Sequence, residues 1–366
     1  MSDYNIQILG IRGIPASHGG FETFAEVLSL YLLNAGWRVT VYCQEEGGGE
    51  LYTDTWNDIE RIIIPVKKKA AIGTVIFDWK STKHASRHEG LILTLGYNTA
   101  IFSILYRLRG KKNIINMDGI EWKRGKWKWY ERIWLYLNER VGCLFGNHLI
   151  ADHPEIKNHL KTRVKDSKIT MIPYGAREVL HADLTYIHKY GLKEKAYAIL
   201  IARPEPENSI LEIVRAFSRV KRNHKLVVLG NYLSDNAYHQ EVITNASNEI
   251  VFLGAIYEHN ELDALRLFAS LYIHGHTVGG TNPSLVEALA AGQPVLAHDN
   301  KYNNWVAGSK AHYFKNENDC ALELDKLLQN DAELCLMSGW SRERFKKEFT
   351  WDRVLGAYEN LLINWL

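Results

Sequence analysis

The chain has 366 residues, of which 46% are hydrophobic and 23% are charged, and its formal net charge is +2. This length is too great for one ordinary hydrophobic core and predicts two domains of similar size. The hydrophobic content excludes a disordered chain. The balanced charge, together with the lack of a recognisable nucleic-acid motif, argues against a nucleic-acid partner. The four cysteines are widely separated, so the sequence predicts neither a disulfide framework nor a zinc site.

Residues 1–5 are polar and carry no recognisable secretory signal. Residues 90–106 are uncharged, but the sequence Gly96–Thr99 interrupts them, which favours strand, turn and helix over a membrane span. We therefore expect a cytoplasmic protein that is soluble or peripherally attached to a membrane.

Strand-like and helix-like segments alternate along the chain. The predicted strands of the first half are Asn5–Gly10, Arg38–Cys43, Arg61–Pro65, Leu91–Leu95, Asn113–Met117, His148–Ala151 and Ile169–Ile172. Those of the second half are Ala196–Ala202, Lys225–Leu229, Ile250–Leu253, Leu271–His274 and Pro294–Ala297. Helical patterns follow them, for example at Phe21–Leu33, Ser209–Val220 and Pro283–Ala291. This alternation predicts an α/β fold with two doubly wound, Rossmann-like domains.

The predicted domains are residues 1–175 and 176–350, with the hinge between Pro173 and Lys195. Residues 351–366 are apolar and are expected to form a helix that can pack back on the first domain. Doubly wound sheets bind ligands beyond the carboxyl ends of their strands. We therefore expect the two domains to face an interdomain cleft, lined by the loops that follow the strands.

The strongest local signal follows the predicted strand Leu271–His274. Gly279 and Gly280 precede a helix that begins near Pro283, and free backbone N–H groups at such a helix start suit a diphosphate. Glycine permits close approach of a phosphate. Glu287, about one turn into the helix, is placed to accept hydrogen bonds from sugar hydroxyls. An ordinary strand–turn–helix connection is the alternative.

The loop after the first strand, residues 11–22, is also rich in glycine and leads into a helix at Gly20 or Phe21. It departs from the GxGxxG pattern and so does not predict a nicotinamide site. Its backbone donors, with Arg12 or His18, suit an anion. His18 by itself is more typical of a surface histidine than of a catalyst.

Two polar loops follow other strands. Arg203 is placed to clamp a leaving phosphate, or else to pair on the surface with Glu205 or Glu207. Asp118 is placed to act on an incoming hydroxyl as a base or an orienting acceptor. The alternative for Asp118 is a helix cap for the segment that follows.

These segments resemble a known family. The glycine loop and the segment Glu287–Val295 resemble the GT-B retaining glycosyltransferases of family 4. Residues 12–22, 118–122, 202–208 and 278–287 resemble, more narrowly, its bacterial rhamnosyltransferase branch, which builds capsule, O-antigen or wall polysaccharide from dTDP-L-rhamnose. The usual family motif has two glutamates separated by seven residues. Here Gly279 replaces the first of them, and Asn208 stands where the wider family has a lysine.

The resemblance implies a retaining hexosyltransferase that takes L-rhamnose from dTDP-L-rhamnose to a lipid-diphosphate-linked saccharide of GlcNAc type. No cofactor is implied, and because no Asp-x-Asp sequence occurs, no metal bridging the diphosphate is expected. The residues expected at the reacting groups are Asp118, Arg203, Glu205 and Glu207. Those expected to bind the donor are Gly19, Gly20, Arg203, Gly279, Gly280, Thr281, Asn282 and Glu287. Those expected on the acceptor or membrane side are His18, Glu121, Trp122, Lys123, Arg124 and Lys126.

Charge is unevenly distributed, with 15 basic and 4 acidic residues in the segment 61–128. Trp122, Trp127 and Trp129 lie in or beside this segment. Basic residues and tryptophan both favour an anionic membrane surface, so we expect attachment to the inner face of the cell membrane. The alternative is a buried stripe on a core helix, formed by Trp127, Tyr130, Trp134, Leu137 and Val141.

Three other functions remain open at this point. The first is a family 4 transferase that uses UDP-GlcNAc, UDP-glucose or GDP-mannose. The second is a sugar-nucleotide epimerase with the same architecture. The third is a non-catalytic nucleotide-sugar-binding protein, because the glutamate pair is incomplete.

Overall fold

The computed structural model describes residues 4–17, 19–68 and 70–366. The chain divides into two compact units. One contains the residues up to Pro173 together with Asp352–Leu366, and the other contains Tyr174–Trp351. Each unit has a largely parallel sheet with helices between its strands. The predicted α/β class with Rossmann-like domains is therefore confirmed.

The first domain is built on an eight-stranded sheet. Its strands are β1 (Asn5–Leu9), β2 (Arg38–Glu46), β3 (Tyr52–Trp56), β4 (Ile59–Val66), β5 (Leu91–Leu95), β6 (Asn113–Asn116), β7 (His148–Ala151) and β8 (Ile169–Met171). Its helices are α1 (Gly20–Asn34), α2 (Ala70–Ala85), α3 (Ser103–Leu108), α4 (Trp129–Phe145), α5 (Pro154–Lys161) and, at the other end of the chain, α14 (Trp351–Ile363). The spatial order is β3-β4-β2-β1-β5-β6-β7-β8, and only β3 runs antiparallel to its neighbour.

The central strands of this sheet are apolar on both faces. Ile6 and Ile8 of β1, and Ile92 and Leu93 of β5, have no exposed surface. Parallel strands covered on both sides have this continuous apolar character, and for that reason the sequence reveals them. The edge strand β3 has the sequence YTDTW and is mostly exposed, so its pattern did not predict a strand.

Helix α14 is tied to the interior of the first domain. The ring of Tyr358 packs on Phe24 of α1 with centroids 4.7 Å apart. The side-chain amide of Asn116 donates a hydrogen bond of 2.7 Å to the Tyr358 hydroxyl. The Glu359 carboxylate accepts a hydrogen bond of 2.9 Å from the Tyr31 hydroxyl. The closing segment of the described chain is therefore a structural part of this domain.

The second domain is built on a six-stranded parallel sheet. Its strands are β9 (Tyr197–Ile201), β10 (Lys225–Leu229), β11 (Ile250–Gly254), β12 (Leu271–His274), β13 (Val295–His298) and β14 (His312–Phe314). Its helices are α6 (Thr185–His188), α7 (Ile210–Ser218), α8 (Ala237–Thr244), α9 (His259–Leu267), α10 (Pro283–Ala290), α11 (Lys301–Ala307), α12 (Glu317–Leu327) and α13 (Asp331–Glu348). The spatial order is β11-β10-β9-β12-β13-β14.

Alternate residues of β9 belong to two separate hydrophobic clusters. Tyr197 and Ile199 lie in one cluster, and Ala198 and Leu200 lie in the other. Successive side chains of a strand point to opposite faces, so the sheet carries a core on each face. This is the layering that a doubly wound domain requires.

Each sheet has one point at which the direction of winding reverses. In the first domain it lies between β1 and β5, and in the second it lies between β9 and β12. Open α/β sheets bind their ligands at such switch points, beyond the carboxyl ends of the strands. None of the helices that the structure describes combines the length and apolarity needed to cross a bilayer.

Candidate active site

Two loops flank the switch point of the second domain, residues 202–209 after β9 and residues 275–282 after β12. Hydrogen bonds join them directly. The backbone N–H and the hydroxyl of Thr277 each donate to the carbonyl oxygen of Glu207 at 2.9 Å. The side-chain oxygen of Asn208 lies 2.5 Å from Nδ1 of His276. The structure thus brings together two loops that the sequence singles out separately.

Arg203 lies at the start of the first of these loops and is exposed. Its carbonyl oxygen accepts hydrogen bonds from the Asn208 side-chain amide and from the backbone N–H of Glu205, both at 2.7 Å. Within residues 4–17, 19–68 and 70–366, the guanidinium forms no ion pair, so the surface pairing with Glu205 or Glu207 is not present. A guanidinium that no carboxylate neutralises is suited to bind an anion, most strongly in a bidentate arrangement.

The glycine pair and the start of α10 follow in the second loop. Gly279 has a φ of +125°, a backbone conformation that residues other than glycine rarely adopt. Asn282 is the N-cap of α10, because its side-chain oxygen accepts the N–H of Ser284 at 3.0 Å. Asn282 therefore satisfies one of the helix N–H groups that the sequence assigned to a diphosphate.

Glu287 lies on α10 and forms an ion pair with Arg266 of α9. The Arg266 side chain is only 8% exposed. A buried cation is costly unless an anion accompanies it, so Glu287 neutralises Arg266. The expected contact of Glu287 with a sugar hydroxyl stays a prediction. Arg266 carries no motif of its own and was missed by the sequence reasoning.

Two asparagines of the next connection fix the second loop in place. The side-chain amide of Asn303 donates to the carbonyl oxygens of His276 at 2.8 Å and His298 at 2.9 Å. Asn300 makes the same pair of bonds at 3.0 and 3.2 Å. These residues were not predicted. Their only sequence signal is the repeated asparagine directly after a strand.

His274 ends β12 and is fully enclosed. Its Nδ1 lies 3.2 Å from the Tyr272 hydroxyl. Burial, helped by the neighbouring His276 and His298, lowers the pKa of His274 well below its usual value. His274 is therefore neutral at physiological pH.

The glycine loop after β1 is held by carboxylates of α1. The backbone N–H of Arg12 donates to Glu22 at 3.4 Å, and that of Ala16 donates to Glu26 at 2.6 Å. Gly19 is the N-cap of α1, and Gly20 is its first residue. These two carboxylates place negative charge beside the loop that the sequence predicted would bind an anionic ligand. His18 lies outside the described residues.

Asp118 follows β6 and has a φ of +50°, which is rare for a residue other than glycine. Its backbone N–H donates to the side-chain oxygen of Asn116 at 3.0 Å. Burial, and then the Glu121 carboxylate, raise the pKa of Asp118 to about 6. The helix-cap alternative is not observed, because the following 3₁₀ helix, Glu121–Lys123, begins after Ile120 without a side-chain cap. A strained residue with a raised pKa is typical of a functional position.

Glu121, expected on the acceptor or membrane side, is buried inside the first domain. Its carboxylate pairs with Arg124 at 2.8 Å and accepts the indole N–H of Trp127 at 3.4 Å. Lys126 lies 4.0 Å away. The segment after Asp118 is therefore organised around one internal carboxylate.

Trp122 is also engaged inside the domain. Its indole N–H donates to Glu139 of α4 at 2.7 Å, and His159 and Arg163 contact the same carboxylate at 3.0 and 3.2 Å. Burial alone would raise the pKa of Glu139, but the hydrogen bonds from His159 and Trp122 outweigh it and hold that pKa below its usual value. Glu139 was not predicted, since nothing in the helix pattern distinguishes it from a surface glutamate.

Helix α4 exposes several large apolar side chains. Trp129 is 73% exposed, Leu137 is 53% exposed, and Tyr130, Ile133 and Trp134 are exposed as well. The alternative of a buried core stripe is therefore wrong for Tyr130, Trp134 and Leu137. The neighbouring basic residues Lys123, Lys126, Lys128, Arg132 and Arg140 are also exposed.

No group of three or more His, Cys, Asp or Glu side chains among the described residues is arranged to hold a metal ion.

Both halves of the chain match family models. Residues 185–347 match the model described as glycosyl transferases group 1, and residues 3–177 match a domain of unknown function, DUF1972. No curated protein matches the chain in sequence.

The fold is similar to several solved glycosyltransferase structures. Sucrose-phosphate synthase of Thermosynechococcus elongatus has a TM-score of 0.80 at 15% identity, over 99% of this chain and 98% of that one. HepE of Anabaena, in complex with UDP and glucose, has a TM-score of 0.77 at 12% identity, over 98% of each chain. A trehalose-phosphate synthase of Burkholderia xenovorans, in complex with glucose-6-phosphate, has a TM-score of 0.73 at 10% identity, over 98% of this chain and 99% of that one.

The fold of the chain is the GT-B fold of these solved glycosyltransferases, and residues 185–347 carry the match to glycosyl transferases group 1. Residues 185–347 are a glycosyl transferases group 1 domain.

Proposed function

We propose that the protein transfers L-rhamnose from dTDP-L-rhamnose, with retention of the anomeric configuration, to a lipid-diphosphate-linked saccharide in bacterial surface-polysaccharide synthesis. The part of this proposal that concerns the sugar donor rests on the pair of loops at the switch point of the second domain. They are joined through Thr277 and His276, and they present Arg203 without an ion-pair partner among the described residues. The solved complexes of HepE with UDP and with UDP-glucose support a nucleotide-sugar donor.

At the anomeric carbon, transfer makes one bond and breaks one, and the acceptor hydroxyl gives up its proton to the Asp118 carboxylate. The acceptor hydroxyl oxygen bonds to the anomeric carbon, and the bond from that carbon to the β-phosphate oxygen breaks. The electron pair of the broken bond stays on the nucleoside diphosphate. Arg203 and the backbone around Gly279 and Gly280 stabilise this developing charge, which is usually the largest catalytic contribution. No metal ion is needed for this role.

Asp118 serves the acceptor in this proposal. With a pKa of about 6, its carboxylate is ionised at neutral pH and is basic enough to accept a hydrogen bond, or the proton, from a sugar hydroxyl. Glu205 and Glu207 lie in the same loop as Arg203 and are assigned to the donor sugar. A UDP-glucose donor is the second candidate, because the solved HepE complex contains it.

The experiment is a donor and acceptor panel. Purified protein is incubated with dTDP-L-rhamnose, UDP-glucose, UDP-GlcNAc and GDP-mannose, each with a lipid-diphosphate GlcNAc acceptor, and products are identified by mass. A rhamnosylated lipid is expected. Product from UDP-glucose alone would replace the donor assignment, and binding without turnover would favour a non-catalytic protein.

We further propose that the exposed face of α4 attaches the protein to an anionic membrane surface. Exposed basic residues contribute about 1 kcal/mol each near such a surface, and exposed tryptophan suits the interface. Vesicles containing phosphatidylglycerol should sediment the protein, and the double variant Ile133→Ser with Leu137→Ser should lose this binding.

The control for this membrane test is Leu322→Ser, which changes a leucine on α12 of the second domain that is more exposed than either Ile133 or Leu137. Equal binding of the two variants would contradict the assignment to α4. Failure of the unaltered protein to bind anionic vesicles at low salt would end the membrane proposal.

A further inference from the structure

The hydrogen bonds of the first sheet stop just before Asp118. The carbonyl oxygen of Asn116, the last residue of β6, accepts the backbone N–H of Gly96 at 2.9 Å. The N–H of Met117 donates to the carbonyl oxygen of Ile150 at 2.8 Å. The next backbone N–H, that of Asp118, donates instead to the side-chain oxygen of Asn116 at 3.0 Å. The backbone of Asp118 is therefore held by a side chain and not by a neighbouring strand.

The conformation of Asp118 needs such support. Its φ of +50° lies in the left-handed region, which residues other than glycine rarely adopt. A conformation of this kind persists only where the surrounding structure determines it. The bond from the Asn116 side chain therefore helps to set the direction in which the Asp118 carboxylate leaves the backbone.

The two ends of the Asn116 amide are distinguished by their partners. A backbone N–H only donates, so the atom that faces the N–H of Asp118 is the amide oxygen. The amide nitrogen then donates to the hydroxyl oxygen of Tyr358 at 2.7 Å. Asn116 is only 4% exposed, so water has little access to either end of the amide. The two bonds together fix the plane of the amide.

Tyr358 is itself fixed by α14 and α1. Its ring packs on Phe24 with centroids 4.7 Å apart, and only 1% of the residue is exposed. Burial raises the pKa of Tyr358, although the hydrogen bond from Asn116 acts in the opposite direction. The hydroxyl is therefore neutral at physiological pH, and it contributes a fixed position and no charge.

We propose that Tyr358 is a positioning residue for the acceptor side of the reaction, because it fixes the Asn116 amide that holds the backbone of Asp118. Without the hydroxyl, the buried amide nitrogen loses this partner, and the amide can turn away from Asp118. The Asp118 carboxylate then spends less time where an acceptor hydroxyl can reach it. Small displacements of a catalytic group lower rates strongly. This inference rests on the proposed function, because it takes Asp118 as the group that acts on the acceptor.

The first experiment compares the kinetics of Tyr358→Phe, which keeps the aromatic ring, with those of Tyr31→Phe. The Tyr31 hydroxyl donates to Glu359 of the same helix at 2.9 Å, and Glu359 also accepts the indole N–H of Trp37 at 3.2 Å. Tyr358→Phe should lower kcat by about 10- to 100-fold and leave the KM for the donor unchanged. Tyr31→Phe should keep the kcat of the unaltered protein, although both variants lose a hydrogen bond of α14 and some thermal stability.

A double-mutant cycle tests whether Tyr358 acts through Asn116. Asn116→Ala should lower kcat by a factor similar to that of Tyr358→Phe. The variant with both substitutions should be no slower than Asn116→Ala alone. Independent effects on kcat would multiply, and that result would refute the coupling.

Hydrogen exchange measures the hold on Asp118 without a substrate. In the segment 117–121, the backbone N–H of Asp118 should exchange about 10-fold faster in Tyr358→Phe than in the unaltered protein. Tyr31→Phe should not change this rate, and the strands β5 and β7 should exchange as before in both variants. Faster exchange throughout the first domain of Tyr358→Phe would indicate a general loss of stability and would contradict a specific role.

The outcomes separate the two proposals. If the unaltered protein turns over none of the nucleotide sugars, the proposed function fails, and hydrogen exchange still decides whether Tyr358 holds Asp118. If the protein is active and Tyr358→Phe retains its kcat, the role of Tyr358 is refuted and the proposed function stands. An unchanged exchange rate at Asp118 in Tyr358→Phe would refute that role as well.

Discussion

The substitution Asp118→Asn should stabilise the first domain while it removes activity. The pKa of Asp118 is raised from 3.8 to about 6, a shift of roughly two units, and each unit corresponds to about 1.4 kcal/mol. Ionising this carboxyl in the folded protein therefore costs at most about 3 kcal/mol at neutral pH. Asparagine cannot ionise, and it tolerates the left-handed backbone of this position better than most residues.

The pH dependence has a definite sign. The folded protein holds the Asp118 proton more tightly than the unfolded chain does. The free energy of unfolding therefore falls as the pH rises from about 4 to about 6. The Asp118→Asn variant does not lose stability in this way. Its free energy of unfolding should therefore exceed that of the unaltered protein most above about pH 6, and the difference should vanish towards about pH 4.

The assay is urea unfolding of both proteins across this pH range, followed by intrinsic fluorescence, with turnover measured in parallel. Turnover should fall by about 10²- to 10⁴-fold, the range for loss of a positioned base. Asp58→Asn is the matched control, because Asp58 also has a positive φ, of 62°, but lies on an exposed turn. A stability difference for Asp118→Asn that does not vary with pH would refute the reasoning, and unchanged turnover would remove Asp118 from the mechanism.

Three further predictions concern single side chains. Arg203→Ala should lower turnover by about 10²- to 10³-fold without changing the melting temperature, whereas Arg215→Ala, which breaks a surface ion pair, should leave turnover intact. Glu139→Gln should lower the free energy of unfolding at neutral pH by about 3 kcal/mol, as measured by urea unfolding. The loss should be smaller in acid, because a carboxylate with a lowered pKa stabilises the folded protein less as the pH falls. Gly10→Ala should reduce soluble yield and thermal stability, since its Cβ would lie 2.2 Å from the Leu95 carbonyl oxygen at a φ of +87°; an unimpaired melting temperature would contradict that packing.

The sequence pattern predicted the buried parallel strands well because their apolar character does not depend on long-range contacts. Leu91–Leu95, His148–Ala151, Lys225–Leu229 and Leu271–His274 were predicted with the bounds that the structure has. The strand β3 was missed because an exposed edge strand has no apolar face to detect. The strand β14 was missed because three residues are too few for a periodic signal.

The sequence predicted which loops contain the candidate site, but it did not predict the side-chain contacts within that site. Loops after strands can be located from the chain order, so Asp118 and Arg203 could be placed at the ends of β6 and β9. The ion pair of Glu287 with Arg266 joins two helices, and no local pattern encodes such a pairing. The same is true of Asn303, whose importance lies in which carbonyl oxygens it reaches.

The first domain contains chain from both sides of the second, since it takes in Asp352–Leu366 as well as the residues up to Pro173. Asn116 bonds the backbone of Asp118 through its oxygen and the Tyr358 hydroxyl through its nitrogen. During synthesis on the ribosome, α14 emerges after the whole second domain. The first domain therefore lacks part of its interior until α14 has been translated and has docked. Asn116, which bonds the backbone of Asp118, gains its contact with Tyr358 only at that point.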